Sequence, residues 1–531
     1  MPEGRAIGAA PAKNAYQART SPRKLRGGYY TPIDLARLVL ARLRLRPDDL
    51  VLDPACGDGS FLEAALAEGA TRVVGIDVDP EAVREADARL GERARIGCAD
   101  ALAWDSPEEA ARAAGIALPP RGRLLVVGNP PYVEAKRLPG ETKRALAARF
   151  PEALDGAPDL YLYFLHVCLR WLGPHDRLAF VLPNKVLVNA NAQRVREALL
   201  DQGRLRGLWF ATRAGLFPGA AVYPVVLFAG AGRGEIETAT LGRNKEGVLR
   251  VESRDDVDPH QFAATASRAL YAPPSGPALA KALARLLASP NRLGDVLDIR
   301  WTVSFHRAGL RGQYVTRDRP EGPHARRFLG GGAFSGNAEV TRFRLRWGGW
   351  WIRYDGAELA RLKNSVPDEA IFRAPKIAIC QNGRTIRAAF DEEGFVLKDT
   401  FLAGLSRGAG HPLARRLRAI VGLLSSRAAH FFYAHVFQGG HVGGGYLHFL
   451  RSFLVDVPIG EWDDALAREV DACVRALETR GPHEEAEERI EQAVSRALGL
   501  SAAEADLVRT WAAADANWIA RERVREAEAR S

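Results

Sequence analysis

Asn129-Pro130-Pro131-Tyr132 sets an amide, two rigid residues and an aromatic directly after the apolar run Leu124–Val127. A run of that kind reads as a buried parallel strand, which would deliver the tetrapeptide to the C-terminal edge of a sheet. Such a group is suited to holding a planar amino group by its hydrogens while a ring face covers the rest. The Asn129 side-chain oxygen and the Pro130 carbonyl can each accept one N–H. Two prolines fix the backbone direction, so the acceptors are preorganised.

A second constellation precedes it. Val51-Leu52-Asp53-Pro54-Ala55-Cys56-Gly57-Asp58-Gly59-Ser60 runs from strand into helix. Gly57 and Gly59 allow a tight turn and close approach to a ligand. Asp53 and Asp58 would repel a pyrophosphate and welcome a cationic ligand with an amino-acid head, such as S-adenosylmethionine. Asp77 ends the next apolar strand, Val73-Val74-Gly75-Ile76, where a carboxylate can accept from both ribose hydroxyls. Asp100 follows the third strand and can accept from an adenine amino group. A lone glycine-rich loop is ordinary punctuation. Three strand-end carboxylates in order before Asn129 are more than that.

The elements that must position these residues alternate in a βα rhythm. Strands are expected at Leu50–Asp53, Arg72–Asp77, Arg95–Cys98, Leu124–Gly128, Arg177–Leu182, Leu205–Phe210 and Val222–Phe228. Helices are expected at Ser60–Glu68, Pro80–Leu90, Leu160–Trp171 and Asn191–Gln202. The fold class is therefore α/β, a doubly wound and mostly parallel sheet of seven strands whose last two close as a hairpin. After Gly230 the rhythm is lost. Pro277 opens a linking helix over Ala278–Ala288, arginines interleave with Trp347, Trp350 and Trp351, and Leu and Ala recur at helical spacing after Asp463. The expected organisation is a flexible basic arm (1–26), a catalytic domain (27–235), a mixed α+β domain (236–460) and a C-terminal helical segment (461–531).

At this point a family resemblance is plain. The order of the segments resembles the gamma class of amino-group DNA methyltransferases, the Taq-type enzymes of restriction–modification systems. Tyr29-Tyr30-Thr31-Pro32 resembles the segment that caps the methionine moiety, which implies a cofactor contact at Thr31. The glycine loop implies contacts at Asp53, Ala55 and Gly57. Asp77 with Val78, and Asp100 with Ala101, are similar to the ribose and adenine positions. Asp159-Leu160-Tyr161-Leu162-Tyr163-Phe164 resembles the helix whose aromatic, here Phe164, covers the adenine. The resemblance implies methyl transfer to the N6 of a flipped adenine, with Asn129, Pro130 and Tyr132 as the catalytic element. Leu216-Phe217-Pro218-Gly219 is similar to the segment supplying a second aromatic, Phe217, although an aromatic beside Pro-Gly also simply packs turns.

A net charge of +10 agrees with a polyanionic partner, double-stranded DNA. Ten arginines between Trp301 and Arg353 suit phosphate and guanine contacts, or form a solvated arginine surface. Phe372–Ile377, Ala389-Phe390-Asp391 and Tyr446 to Ile459 resemble target-recognition domains more loosely. A companion restriction endonuclease or defence proteins are implied as partners; a nuclease fused ahead of residue 29 is not expected. Five scattered cysteines without CxxC pairs argue against zinc and disulfides and favour the cytoplasm. No metal is expected, and no apolar run reaches the length of a membrane span. The same amino-acceptor logic also serves enzymes that methylate a glutamine amide in release factors or amino groups of ribosomal RNA. Those remain the alternatives.

Overall fold

The computed structural model describes residues 31–120, 122–151, 158–211, 223–232, 234–305, 310–331, 339–362, 365–408, 410–442 and 446–521. The chain divides into two compact units, one ending at Pro259 and one beginning at His260.

In the first unit, helix α1 (Ile33–Leu43) buries Leu35, Ala36, Val39, Leu40 and Leu43, a stripe at helical spacing. It packs over strand β1 (Leu50–Asp53), whose four residues are all buried, and helix α2 (Ser60–Ala67). Strand β2 (Arg72–Asp77) leads to α3 (Pro80–Leu90), which starts on an Asp79 side chain accepting from the Glu81 N–H, with proline at the first helical position. Then come β3 (Arg95–Cys98), α4 (Pro107–Ala113), β4 (Leu124–Gly128), α5 (Gly140–Arg149), α6 (Leu160–Trp171), β5 (Arg177–Pro183), α7 (Gln193–Asp201), β6 (Leu205–Phe210) and β7 (Pro224–Gly230).

The sheet does not stop there. Strands β8 (Ile236–Arg243) and β9 (Leu249–Val257) extend it, so it has nine strands rather than the seven expected, in the order β3-β2-β1-β4-β5-β7-β6-β8-β9. Pairing is parallel from β3 through β5. Strand β7 inserts antiparallel between β5 and β6, as the expected hairpin requires. Strand β8 runs parallel to β6, and β9 returns antiparallel. The first unit therefore runs past the boundary expected at residue 235. Ile236, Leu241, Leu249 and Val257 are buried, and the outer strand carries Glu252, Arg254, Asp255 and Asp256, charges that discourage edge pairing.

The second unit is built from short strands. An antiparallel sheet pairs β10 (Leu297–Arg300), β18 (Phe401–Ser406), β14 (Lys376–Cys380) and β16 (Ala388–Asp391) in that order. A second sheet pairs β11 (Val315–Thr316), β13 (Trp350–Arg353), β12 (Ala325–Leu329) and β17 (Val396–Leu397). A third pairs β15 (Asn382–Gly383), β20 (Tyr446–His448) and β19 (His441–Val442). Helix α8 (Pro277–Leu287) matches the expected linking helix within one residue. Helix α9 (Leu417–Leu424) is buried along its whole length; α10 (Arg427–Val436), α11 (Asp464–Arg480), α12 (Glu484–Ala497) and α13 (Ala502–Ala514) follow. The C-terminal helices are part of this unit. A side chain at Gly422 of α9 would come within 2.6 Å of Val470 in α11, so glycine sets how closely the two pack.

Two segments singled out in the sequence meet in the first of these sheets. Lys376 stands opposite Asp391 across β14 and β16, with Nζ and Oδ2 2.5 Å apart and both side chains fully buried. Lys376 also donates to the Phe372 carbonyl at 2.6 Å, and Asp391 accepts from the backbone N–H groups of Glu393, Gly394 and Phe395. A buried pair keeps its charges only when such bonds satisfy them.

Candidate active site

Strand order reverses between β1 and β4, the neighbours from which the chain winds outward on both sides. In open α/β sheets ligands sit beyond the strand C-termini at that point. Here Asp53 ends β1, Asp77 ends β2 and Asn129 follows β4. The approach is close: a Cβ on Gly128 would lie 2.7 Å from Asp53 Oδ1. Only glycine at 128 lets the Asn129 segment leave the sheet beside that carboxylate.

A cleft of about 600 Å³ opens here. Its lining gathers Thr31, Asp53, Ala55, Gly57, Asp77, Val78, Asp100, Ala101, Asn129 and Phe164, from segments far apart in the chain. Pro130 is buried and, like Tyr132, is not part of the lining; Tyr132 stands edge-on to Tyr161 of α6 with ring centroids 6.2 Å apart. Phe217 lies outside the described residues.

The glycine loop takes its shape from hydrogen bonds. Gly57 and Gly59 adopt φ of 55° and 81°, conformations that favour glycine. Gly57 N–H donates to Asp77 Oδ2 at 2.8 Å and Asp79 N–H to Asp77 Oδ1 at 2.9 Å, which fixes the carboxylate at the strand end. Asp58 receives the Ser60 hydroxyl at 2.8 Å and Arg89 Nη1 at 2.9 Å. Asp100 accepts from the Leu102 N–H at 3.0 Å. Asp53 accepts from the Ala55 N–H at 3.0 Å and is 2% exposed. Burial, then the charges of Asp77 and Asp58, push its carboxyl up to about 8, against the pull of the Ala55 N–H.

The donor set fits a cationic nucleoside. Carboxylates from three successive strand ends and the loop line one cleft. Val78 presents an apolar side chain that is 67% exposed, surface for a ring to cover, and Phe164 lines the same space.

Several contributors carried no sequence signal. Arg137, Pro139, Thr142 and Leu146, in and before α5, also line the cleft. Among its residues α5 buries only Leu146, so it lacks the stripe that would have marked it. Asp159 accepts from the Ala135 N–H at 3.0 Å and Leu160 N–H donates to the Val133 carbonyl at 2.9 Å, tethering the chain that follows Tyr132 to α6. Arg196 is fully buried and donates to the carbonyls of Val186 and Asn189, holding the turn after β5.

In the second unit, many of the arginines counted between Trp301 and Arg353 are engaged internally. Arg326, Arg327, Arg342 and Arg353 pair with Glu369, Glu393, Glu487 and Glu358. Arg344 binds the Leu477 and Glu478 carbonyls. Arg317 and Arg319 lie over the rings of Trp350 and Trp351 at 4.1 and 5.3 Å. Arg307 lies outside the described residues, as do 443–445 of the glycine-rich loop expected to face DNA. Among the described residues, no helix is long and apolar enough to cross a membrane, and no cluster of three His, Cys, Asp or Glu could hold a metal.

Residues 51–117 match the methyltransferase domain family, and residues 125–217 match the Eco57I restriction-modification methylase family. The chain is 29% identical over 219 residues to the type II methyltransferase M.BanIII of Aneurinibacillus aneurinilyticus, covering 38% of this chain and 37% of that one. It is 31% identical over 217 residues to M.TthHB8I of Thermus thermophilus, covering 39% and 46%. Among solved structures it is similar to the type IIG restriction endonuclease BpuSI, at TM-score 0.42 and 15% identity, over 89% of this chain and 66% of that one. The chain thus spans less than half the length of the curated relatives it matches. Both matched segments, 51–117 and 125–217, fall within the first unit. The likeness is to restriction-modification methylases and type II methyltransferases.

Proposed function

We propose that the chain is a site-specific DNA methyltransferase acting on the N6 amino group of a flipped adenine, within a restriction–modification or phage-defence system. The observation that carries the reading is the position of Asn129. It follows β4 at the switch point and lines a carboxylate-rich cleft, inside the segment that matches restriction-modification methylases.

S-adenosylmethionine, when bound, supplies a methyl group made electrophilic by its sulfonium. Asp77 would accept from its ribose, Asp100 from its adenine amino group, and Val78 and Phe164 would flank the ring; Thr31, Ala55, Gly57 and Ala101 would complete the enclosure. Asp53 and Asp58 offset its positive charge.

The adenine N6 lone pair is delocalised into the ring, which makes it a poor nucleophile. Asn129 and the Pro130 carbonyl each accept one of its N–H bonds and draw the nitrogen toward tetrahedral geometry. Acceptors fixed before the reaction stabilise the positive charge that develops on nitrogen more than they stabilise the resting amine. Tyr132 stacks on the extruded base, and Phe217 supplies the second face. The second unit reads the sequence, with Arg317 and Arg319 over their tryptophans as its candidate contacts.

The test uses labelled cofactor offered with plasmid DNA, ribosomal RNA and release factor. Label in duplex DNA, on adenine and within one short sequence, is expected. Label confined to RNA or protein refutes the proposal and selects the alternative amino-group substrates.

A further inference from the structure

The N-terminal edge of the same sheet has the opposite character. A separate cleft of about 600 Å³ is lined there by Arg42, Arg44, Arg46, Arg123, Arg177 and Arg254, with Glu237 as its carboxylate. Arg206, near the start of β6, stands in a neighbouring hollow with Arg42 and Arg177, whose lining also carries Glu235, Glu237 and Asp256. Two of these arginines are neutralised. Arg123 makes a two-pronged bond to Asp49 at 3.1 and 2.7 Å, and Arg42 pairs with Glu237 at 2.9 Å. Glu237 is further occupied by the Trp209 indole N–H at 2.7 Å.

Arg177 and Arg206 differ. Both are half-buried, yet Arg177 donates to the backbone carbonyls of His175 and Asp176, and Arg206 to that of Leu205. Among the described residues neither has a carboxylate within ion-pair reach. Burial, then Arg123 and Arg42, hold the Arg177 guanidinium below the usual arginine range despite Asp176; burial, then Arg177 and Arg42, do the same at Arg206. An arginine in a protein does not shed its proton. An anion seated beside Arg177 and Arg206 would offset their mutual repulsion. Leu38 and Val251, both partly exposed, give the cleft an apolar side, so it can also take the body to which an anionic group is attached.

We propose that this edge binds a phosphate ester, its oxygens held by Arg177 and Arg206 with Arg42 and Arg44 beside them. Guanidinium forks match phosphate geometry and form charge-assisted hydrogen bonds. The ester belongs either to a free nucleotide or to a nucleic-acid backbone. The inference stands apart from methyl transfer, because the cleft lies at the edge away from Asn129 and shares no residue with the acidic one.

Thermal unfolding of the full chain at fixed ionic strength, with chloride replaced by inorganic phosphate, reads the site. The midpoint should rise in the wild type, and Arg177→Gln/Arg206→Gln should weaken phosphate binding roughly tenfold or more, the loss expected for charge-assisted bonds. Phosphate also stabilises proteins by general exclusion, which acts alike on both chains. Equal rises in the two, or no rise in the wild type, overturn the proposal. Where the double variant does not melt cooperatively, Arg206→Gln alone and Arg44→Gln, at an exposed position, are judged by the same criterion. Adenosine 5′-monophosphate that displaces phosphate from the wild type assigns the site to a nucleotide. A log–log salt slope for duplex binding that falls by about one to two in the variant assigns it to a DNA backbone. Phosphate binding with neither outcome means an adventitious ion only and defeats the ester. Cofactor binding should be unchanged in these variants; its loss in the wild type would count against the methyltransferase reading alone.

Discussion

Replacing Asp53 by asparagine tests the electrostatics of the acidic cleft. The buried Asp53 carboxyl titrates at about 8 in the folded chain, against about 3.9 for an aspartate in an unfolded one. Between those values the folded state holds a proton that the unfolded state has released. Stability therefore falls as pH rises, by about 1.4 kcal/mol per pH unit, and the group costs up to about 4 kcal/mol at pH 7. Asparagine keeps an oxygen for the Ala55 N–H and does not titrate. Without ligand, Asp53→Asn should match the wild type near pH 4 and exceed its stability progressively up to pH 8. A cationic ligand reverses the balance by favouring the ionised carboxylate, so wild-type affinity for S-adenosylmethionine should rise with pH, at most tenfold per unit between about 6 and 8. Calorimetry in buffers of different ionisation enthalpy counts the proton released on binding. The ligand's own amino group titrates near 8 and contributes equally to both proteins, so the difference isolates Asp53. Identical pH slopes in the two proteins, for both stability and binding, would refute the assignment.

Asn129→Ala should abolish methyl transfer while leaving cofactor affinity near wild type, whereas Asp77→Ala should lose the cofactor; calorimetry showing equal losses would reverse the roles. Lys376→Met should destabilise the second unit by about 3–5 kcal/mol in urea unfolding, since it leaves Asp391 buried without its cation. Ending the chain after Pro259 should leave a cooperatively melting, cofactor-binding unit with little sequence-specific DNA affinity. Ending it after Gly230 should fail to fold, because β8 and β9 bury Ile236, Leu241, Leu249 and Val257.

The first unit was legible because its inner strands are covered on both faces. Leu50–Asp53 and Leu124–Gly128 are continuous apolar runs that end at a polar residue or a glycine, so strand and site are marked by the same few letters. Strands β8 and β9 lie toward the edge, where one face is solvated and charges replace apolar residues. Ile236 to Arg243 then reads as polar punctuation unless its alternation is noticed. The second unit hides for a different reason. Its strands are two to six residues long, too short for a period, and β10 finds its partner β18 about a hundred residues away. Which arginines face outward there depends on partners such as Glu369 and Glu487, which proximity in sequence does not reveal.

The acidic cleft also shows why several carboxylates can share one small space. Asp77 accepts two backbone N–H groups, Asp79 and Asp100 each accept one at the start of a helical turn, and Asp58 has Ser60 and Arg89. Helix N-termini supply partial positive charge and unsatisfied N–H donors, so carboxylates placed there are aimed by those hydrogen bonds. Asp53 sits behind the turn, buried against the Ala55 N–H, and Gly128 leaves no room for another group beside it. It therefore carries the burden that the others avoid. On the proposed reading, a cation that favours ionised Asp53 couples cofactor binding to proton release; Asp53 at the end of β1 and Asn129 after β4 stand at neighbouring strand ends. If Asp53 meets the cofactor's charge and Asn129 the target amine, as proposed, one close approach between β1 and β4 positions both, and a substitution at Gly128 should disturb both at once.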